Sequence, residues 1–241
     1  MDITNIEWNG FDGVSFSFEG NYAQVIKPKC NPNGKWALKT EYMHAFPDTE
    51  IELLNRGWHI AFNQNDNRWA ENPDLERKGR FIEFVSNHFG LDKKCAMIGM
   101  SCGGLYAVKT TALFPNIVSM LYLDAPVLNL LSCPCCMGNA TDDLYPEYFQ
   151  ITGRTKRQML SYRDNPIDKM DILLKHDIPI LLVCGDSDTT VPYEENGMIL
   201  KDYYENNNGV IITFLKKDCG HHPHGLENAK VSCDIIEEFS K

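Results

Sequence analysis

The hydrophobic pattern of the first thirty residues is strict alternation. Apolar Val14, Phe16 and Phe18 alternate with polar neighbours, a turn signal follows at 19–21, and apolar residues then resume up to Ile26. Alternation places one side of a strand against a core, and a short turn between two such segments joins antiparallel neighbours. The pattern therefore predicts an antiparallel hairpin at 11–27.

After this hairpin, short apolar runs alternate with stretches of helical period. Strands are predicted at 35–42, 59–62, 96–100, 118–124, 178–184 and 210–215. Helices are predicted from 46–50 to Gly57, over 73–89, from the residues after 103 to Phe114, and over 193–206 and 225–239. Two antiparallel strands followed by alternating strands and helices predict an α/β fold. Its central sheet is mostly parallel, with helices on both faces.

The regular alternation breaks between residues 127 and 177. This segment holds a cysteine cluster and a predicted helix near 156–162, so it is expected to form a small cap-like insertion. Insertions of this kind cover active sites and shape specificity. The 241 residues suit one domain over 1–241 rather than two.

Charge and hydropathy exclude two classes of partner. The net charge is −10 and the basic residues are scattered, whereas a phosphate backbone needs clustered Lys and Arg. No apolar stretch approaches the roughly 20 residues that span a bilayer, and the acidic opening does not resemble a signal peptide. We expect a cytoplasmic protein that binds neither nucleic acid nor membrane. The sequence carries no signal of its oligomeric state.

The cysteines are expected to be reduced. Their number, nine, is odd, and Cys95, Cys184 and Cys233 fall inside apolar strand or helix patterns. The run Cys133-Pro-Cys135-Cys136 invites a zinc interpretation. No second pair of ligands lies at finger-like spacing, so a plain surface loop is favoured there.

The strongest chemical signal is Gly99-Met-Ser-Cys-Gly103, which lies between a predicted strand and a predicted helix. This order is typical of a nucleophile elbow, in which Ser101 takes a strained conformation and projects its hydroxyl beyond the sheet. The alternative is an ordinary turn between strand and helix. Cys102 is a rival nucleophile, but an elbow presents only its central residue to substrate.

Candidate acids follow strands on the carboxyl side of the sheet. Asp186 and Asp188 come after the strand at 178–184, and Asp124 ends the strand at 118–124. An Asp that follows Ser101 in the chain and precedes a His has the order expected for a serine, acid and base on this scaffold. Asp188 is favoured, with Asp186 and Asp124 as alternatives.

Candidate bases lie in Cys219-Gly-His-His-Pro-His-Gly225, which offers His221, His222 and His224. A serine hydroxyl needs an imidazole to take its proton, and a carboxylate to fix the imidazole tautomer. His221 is the favoured base. A metal site at these histidines is disfavoured, because no carboxylate ligand lies at a set spacing from them.

Three motifs together resemble α/β-hydrolases: Gly-Met-Ser-Cys-Gly-Gly, Gly-Asp-Ser-Asp-Thr-Thr-Val-Pro and Cys-Gly-His-His-Pro-His-Gly. The resemblance implies Ser101 as nucleophile, Asp188 as acid and His221 as base. More narrowly, 36–46, 53–57 and 124–127 are similar to bacterial esterase-like or prolyl-oligopeptidase-like serine hydrolases. Members of that group commonly have Arg where this chain has Cys102, which implies different substrate contacts.

An oxyanion hole is expected at the backbone N–H of Cys102, at the start of the elbow helix. The second donor should come from the loop after the strand at 35–42, at the backbone of Glu41 or Tyr42.

The expected activity is that of a carboxylesterase, which cleaves a small carboxylic or carbohydrate ester through an acyl-enzyme, with no cofactor and no metal. The choice of esters rests on analogy with the esterase-like group. A serine peptidase of the same fold and a hydrolase-like binding protein without turnover are the alternatives.

Overall fold

Nine strands form one mixed sheet in the computed structural model of the chain, which describes residues 2–241. The strands are β1 (Thr4–Trp8), β2 (Phe11–Phe18), β3 (Asn21–Ile26), β4 (Trp36–Lys39), β5 (His59–Asn63), β6 (Cys95–Met100), β7 (Val118–Asp124), β8 (Ile180–Gly185) and β9 (Ile211–Lys216). They lie in the order β1-β2-β3-β5-β4-β6-β7-β8-β9. The first three strands are antiparallel to their neighbours, and the rest are parallel to one another. The predicted α/β fold class is confirmed.

The helices are α1 (Asp48–Asn55), α2 (Asn72–Phe89), α3 (Cys102–Leu113), α4 (Tyr145–Thr152), α5 (Lys156–Met159), α6 (Met170–Lys175), α7 (Gly197–Asn206) and α8 (Ala229–Phe239). In residues 2–241 no helix is both long and apolar enough to cross a membrane.

The N-terminal hairpin forms as predicted, with Phe18 opposite Asn21 at its turn. A further strand, β1, pairs antiparallel with β2 and was not predicted. Its sequence, TNIEW, lies at the sheet edge and is mostly exposed. Because an edge strand buries little surface, its hydrophobic pattern is weak.

Several predicted ranges were too wide, including the helix near 156–162, which ends at Met159. The strand predicted at 35–42 ends at Lys39, after which the chain turns and Tyr42 takes a φ of 53°. The helix predicted at 193–206 begins only at Gly197, after a short 3₁₀ turn. The helix predicted at 225–239 begins at Ala229, where the Asn228 side chain caps it by accepting a hydrogen bond from the Lys230 N–H (3.1 Å).

Side chains of the central strands pack on both faces of the sheet. Along β6, Met97 joins one core with residues of α2, α3 and α7, whereas Ala96 and Ile98 join a second core with residues of α1 and α8. Burial on both faces explains why these strands read as unbroken apolar runs rather than alternating ones.

The 127–177 segment packs over the elbow helix with a third apolar core. Cys133 and Cys135 are buried in that core together with Tyr148, Leu105 and Trp69. The surface loop favoured for this run is therefore wrong for Cys133 and Cys135, whose thiols act as small apolar side chains, whereas Cys136 is half-buried. All nine cysteines are free thiols, in line with the reduced state expected from the sequence.

Candidate active site

Ser101 lies between β6 and α3 with φ of 51° and ψ of −121°. The glycines around it make room for this sharp turn. A Cβ on Gly99 would lie 2.6 Å from the Gly103 carbonyl oxygen, and one on Gly104 would lie 2.3 Å from Cβ of Pro126. These contacts explain why the motif needs glycine on both sides of the strained serine.

A chain of hydrogen bonds joins Ser101 to a histidine and a carboxylate. The Ser101 Oγ lies 3.0 Å from Nε2 of His221, and the His221 Nδ1 lies 2.8 Å from Oδ2 of Asp188. The other carboxylate oxygen, Oδ1, accepts the N–H groups of Thr190 (2.9 Å) and Val191 (2.8 Å). Ser101, Asp188 and His221, from three separate loops, therefore meet at the carboxyl end of the sheet.

The two alternative acids lie elsewhere. Asp186 is exposed and accepts a hydrogen bond from the neighbouring Ser187 hydroxyl (2.9 Å). Asp124 is buried and binds a different histidine, with its Oδ1 2.6 Å from Nδ1 of His224. Its Oδ2 accepts the Gly225 N–H at 2.6 Å. The site thus contains a second Asp–His pair, which the sequence did not predict.

The third histidine of the loop, His222, is exposed, and its ring stacks on Phe46 with centroids 5.5 Å apart. Partial desolvation of its ring and the neighbouring imidazoles of His221 and His224 lower the pKa of His222. One ring nitrogen from each of the three histidines lies within 4.8 Å of the others. From the sequence, a metal site is disfavoured because no carboxylate ligand lies at a set spacing from these histidines. In the structure, the three histidines lie close enough together that they could hold a metal ion.

A cavity of about 320 Å³ opens beside the serine hydroxyl. Its walls come from the elbow, the loop after β4, the 127–177 segment and the loop 219–225, which holds the three histidines. The residues that line it are Tyr42, Ala45, Phe46, Arg68, Met100, Ser101, Cys102, Asp142, Leu144, Thr190, His221, His222 and His224. The wall is a mixture of apolar rings and charged groups. Such a pocket suits a small ligand with a polar reacting group.

The residues expected to donate to the oxyanion differ in whether they line the cavity. Cys102 begins α3, so its N–H has no acceptor within the helix, and it lines the cavity together with Tyr42. The Tyr42 N–H lies 3.4 Å from Oε1 of Glu41, and the Tyr42 hydroxyl lies near the Cys102 thiol and Arg68. Glu41 is not among the lining residues. Its carboxylate accepts a hydrogen bond from Asn65, and burial raises its pKa.

The Cys102 side chain is 1% exposed and packs in the apolar core under the 127–177 segment. Burial raises the pKa of its thiol to about 11. Because the thiolate is the reactive form, this environment disfavours Cys102 as a nucleophile.

Arg68 was missed by the sequence analysis. It borders the cavity from the loop between β5 and α2 and forms an ion pair with Glu147 of α4. The hydrogen bonds from Arg68 lower the pKa of the Glu147 carboxyl. No sequence signal marks this pair, because it joins a loop to an insertion 79 residues away.

The sheet order, the strained serine at the end of a central strand and the chain order of serine, carboxylate and histidine define an α/β-hydrolase. Residues 79–235 match the model of the prolyl oligopeptidase family, Peptidase S9. The chain therefore belongs to the prolyl oligopeptidase family. No curated protein sequence is significantly similar to it.

Solved structures share this fold at low sequence identity. A Mycobacterium tuberculosis puromycin-hydrolyzing peptidase is 14% identical with a TM-score of 0.73, over 95% of this chain and 38% of that one. A truncated carbohydrate esterase from gut microbiota is 17% identical with a TM-score of 0.70, over 90% of each chain. Porphyromonas gingivalis dipeptidyl peptidase 4 is 13% identical with a TM-score of 0.66, over 99% of this chain and 35% of that one. The chain spans about two-fifths of the length of the puromycin-hydrolyzing enzyme.

Proposed function

We propose that the protein is a serine esterase that cleaves small carboxylic or carbohydrate esters with Ser101, His221 and Asp188 as its catalytic residues. One observation carries the proposal. The Ser101 hydroxyl, which faces the cavity, is hydrogen-bonded at 3.0 Å to an imidazole whose other nitrogen is held at 2.8 Å by a carboxylate. This is the arrangement that turns a poor nucleophile into an effective one.

Acylation begins when the Ser101 Oγ attacks the ester carbonyl carbon and passes its proton to Nε2 of His221. The Asp188 carboxylate keeps the other imidazole proton on Nδ1 and stabilises the imidazolium. The carbonyl oxygen becomes an oxyanion, which the N–H of Cys102 stabilises with the help of the helix dipole. The imidazolium then protonates the leaving alcohol, and the acyl group remains on Ser101.

Deacylation repeats these steps with water. His221 takes a proton from the water molecule as its oxygen attacks the acyl carbon. Collapse of the second oxyanion breaks the bond between the acyl carbon and the Ser101 Oγ, which takes the proton back from His221 as the carboxylic acid leaves. We assign the second oxyanion contact to the Tyr42 backbone, because Tyr42 borders the cavity and Glu41 does not. Its N–H must turn from the long 3.4 Å contact with Glu41 toward the oxyanion.

The proposed substrate class rests on the cavity. About 320 Å³ lies near the lower limit for small-molecule sites, which leaves space for a short acyl group and a compact alcohol. Phe46 and Tyr42 offer rings on which a sugar or aryl group can stack. The structural similarity to a carbohydrate esterase over 90% of both chains supports a sugar ester among the candidates.

A peptidase is the second candidate. The Asp142 carboxylate lines the cavity and would offer a counter-charge to a peptide amine. The family description and the similarity to a puromycin-hydrolyzing peptidase support amide substrates. The same three residues would act, with an amine in place of the alcohol as leaving group.

The test compares wild type with Ser101→Ala on p-nitrophenyl acetate, butyrate and octanoate, on acetylated sugars and on aminoacyl p-nitroanilides. A fluorophosphonate adduct measured by intact mass reports the nucleophile. We expect ester turnover and one adduct, both lost in Ser101→Ala. Turnover confined to the anilides would replace the esterase by a peptidase. A folded protein with neither turnover nor adduct would indicate a binding protein.

A further inference from the structure

His221, His222 and His224 form a compact group beside the serine. Their ring centroids are 4.9, 5.0 and 5.0 Å apart, and one nitrogen from each lies within 4.8 Å of the other two. Neutral imidazole is the commonest protein ligand of transition metals and is well suited to zinc. The hydrolytic mechanism uses only one of these three rings.

Carboxylates already orient two of the rings as they would in a metal site. Asp188 holds Nδ1 of His221, and Asp124 holds Nδ1 of His224. Both carboxylate side chains are at most 2% exposed. Metal-binding histidines usually bind a carboxylate through the second nitrogen, which fixes the tautomer and makes the ligand nitrogen more basic. In His221 and His224 this leaves Nε2 as the metal ligand.

The candidate ligand nitrogens differ in the hydrogen bonds that metal binding would break. The Nε2 of His221 is hydrogen-bonded to Ser101, whereas residues 2–241 contribute no hydrogen bond to Nε2 of His224. His222 is exposed and lies in an irregular loop between β9 and α8. Tetrahedral zinc with bonds of about 2.0–2.1 Å places its ligand nitrogens about 3.3 Å apart, so this loop must contract slightly around the ion.

We propose that His221, His222 and His224 bind Zn²⁺, and that the bound ion occupies the His221 nitrogen that would otherwise accept the Ser101 proton. Zinc and acylation then compete for one nitrogen atom. The ion acts as a reversible inhibitor, with its fourth position open to water. The binding part of this proposal stands independently of the proposed esterase function, whereas the inhibition part rests on it.

Binding is tested first without catalysis, in the Ser101→Ala protein, by calorimetric titration with ZnCl₂. We expect one ion per chain and no binding of MgCl₂, which prefers oxygen ligands. Loss of an outer carboxylate partner typically weakens metal affinity about 10–100-fold, so Asp124→Asn should fall in that range. His222→Gln and His224→Gln remove ligands and should lose about tenfold or more. His176→Gln is the matched control, since His176 is exposed after α6 and lies outside the cluster.

Inhibition is tested with the wild-type protein. We expect zinc to slow ester turnover and fluorophosphonate labelling in parallel, and EDTA to restore both. When each protein is compared with its own rate without zinc, inhibition of His222→Gln should need a zinc concentration about tenfold or more above that for the wild type. Failure of Ser101→Ala to bind zinc, or zinc affinity equal in the His222, His224 and His176 variants, would overturn the site. If zinc binds as expected but the protein does not hydrolyse esters, the result supports the zinc site and refutes only the proposed esterase activity.

Discussion

Asp188→Asn is the most informative single change, because the surroundings of the carboxylate dictate how an amide must sit. Oδ1 of Asp188 accepts two backbone N–H groups, from Thr190 at 2.9 Å and Val191 at 2.8 Å. The amide oxygen of Asn must keep this position, since an NH₂ group there would face two donors. The NH₂ group is therefore directed at Nδ1 of His221.

The size of the expected loss of activity in Asp188→Asn follows from the tautomer of the His221 imidazole. A donor facing Nδ1 turns that nitrogen into an acceptor, so the neutral imidazole carries its proton on Nε2 and cannot take the Ser101 proton. The same replacement in a serine protease triad lowers kcat about 10⁴-fold, or about 5.4 kcal/mol at 1.36 kcal/mol per decade. We expect a loss of this order here. The side chain is 1% exposed, so water cannot substitute for the carboxylate.

The assay measures initial rates of p-nitrophenyl acetate hydrolysis together with thermal unfolding of each variant. Asp186→Asn is the matched control, because its carboxylate is exposed and accepts a hydrogen bond from the neighbouring Ser187, and its rate should stay within about threefold of wild type. Asp124→Asn should lose less than Asp188→Asn. Asp188 is not the acid if folded Asp188→Asn keeps more than a tenth of the wild-type rate, or if Asp124→Asn loses more than Asp188→Asn does.

Three further changes test the local packing. Cys102→Ala should keep more than a tenth of ester turnover, because burial raises the pKa of the Cys102 thiol to about 11 and keeps it in the unreactive protonated form; complete loss in a folded variant would contradict this. Gly104→Ala should lower the free energy of unfolding by about 1–3 kcal/mol or more in urea titration, because its Cβ would meet Pro126 at 2.3 Å. Lys39→Met should cost about 3–5 kcal/mol in the same assay, since it leaves Glu50 buried without its partner at 2.8 Å, and adding Glu50→Leu should recover most of the loss.

The fold could be predicted from the sequence where burial is strong and local. Runs such as 96–100, 118–124 and 178–184 are largely buried on both faces, so most of their positions are apolar and each strand can be predicted without knowing its partners. The nucleophile elbow could be predicted from the sequence for a different reason. Its glycines are required by contacts within a few residues, so the motif carries its own structural context.

What the sequence did not show depends on contacts between distant segments. The Asp124–His224 pair joins residues 100 positions apart, and the Arg68–Glu147 pair joins residues 79 apart. Burial of Cys133 and Cys135 depends on the elbow helix beneath them. Local periodicity carries no information on such contacts, because each partner alone looks like an ordinary loop or surface residue.

The two Asp–His pairs explain why the acid could not be chosen from the chain order alone. Asp124 and Asp188 follow the neighbouring strands β7 and β8, and His221 and His224 lie in one loop after β9, so the parallel sheet brings all four to the same edge. The elbow contacts only one of these two pairs. Its strained serine directs Oγ to within 3.0 Å of His221, which in turn faces Asp188. Asp124 thereby holds an imidazole that lines the same cavity without a hydrogen bond to the serine, which is why its replacement should cost less turnover than that of Asp188.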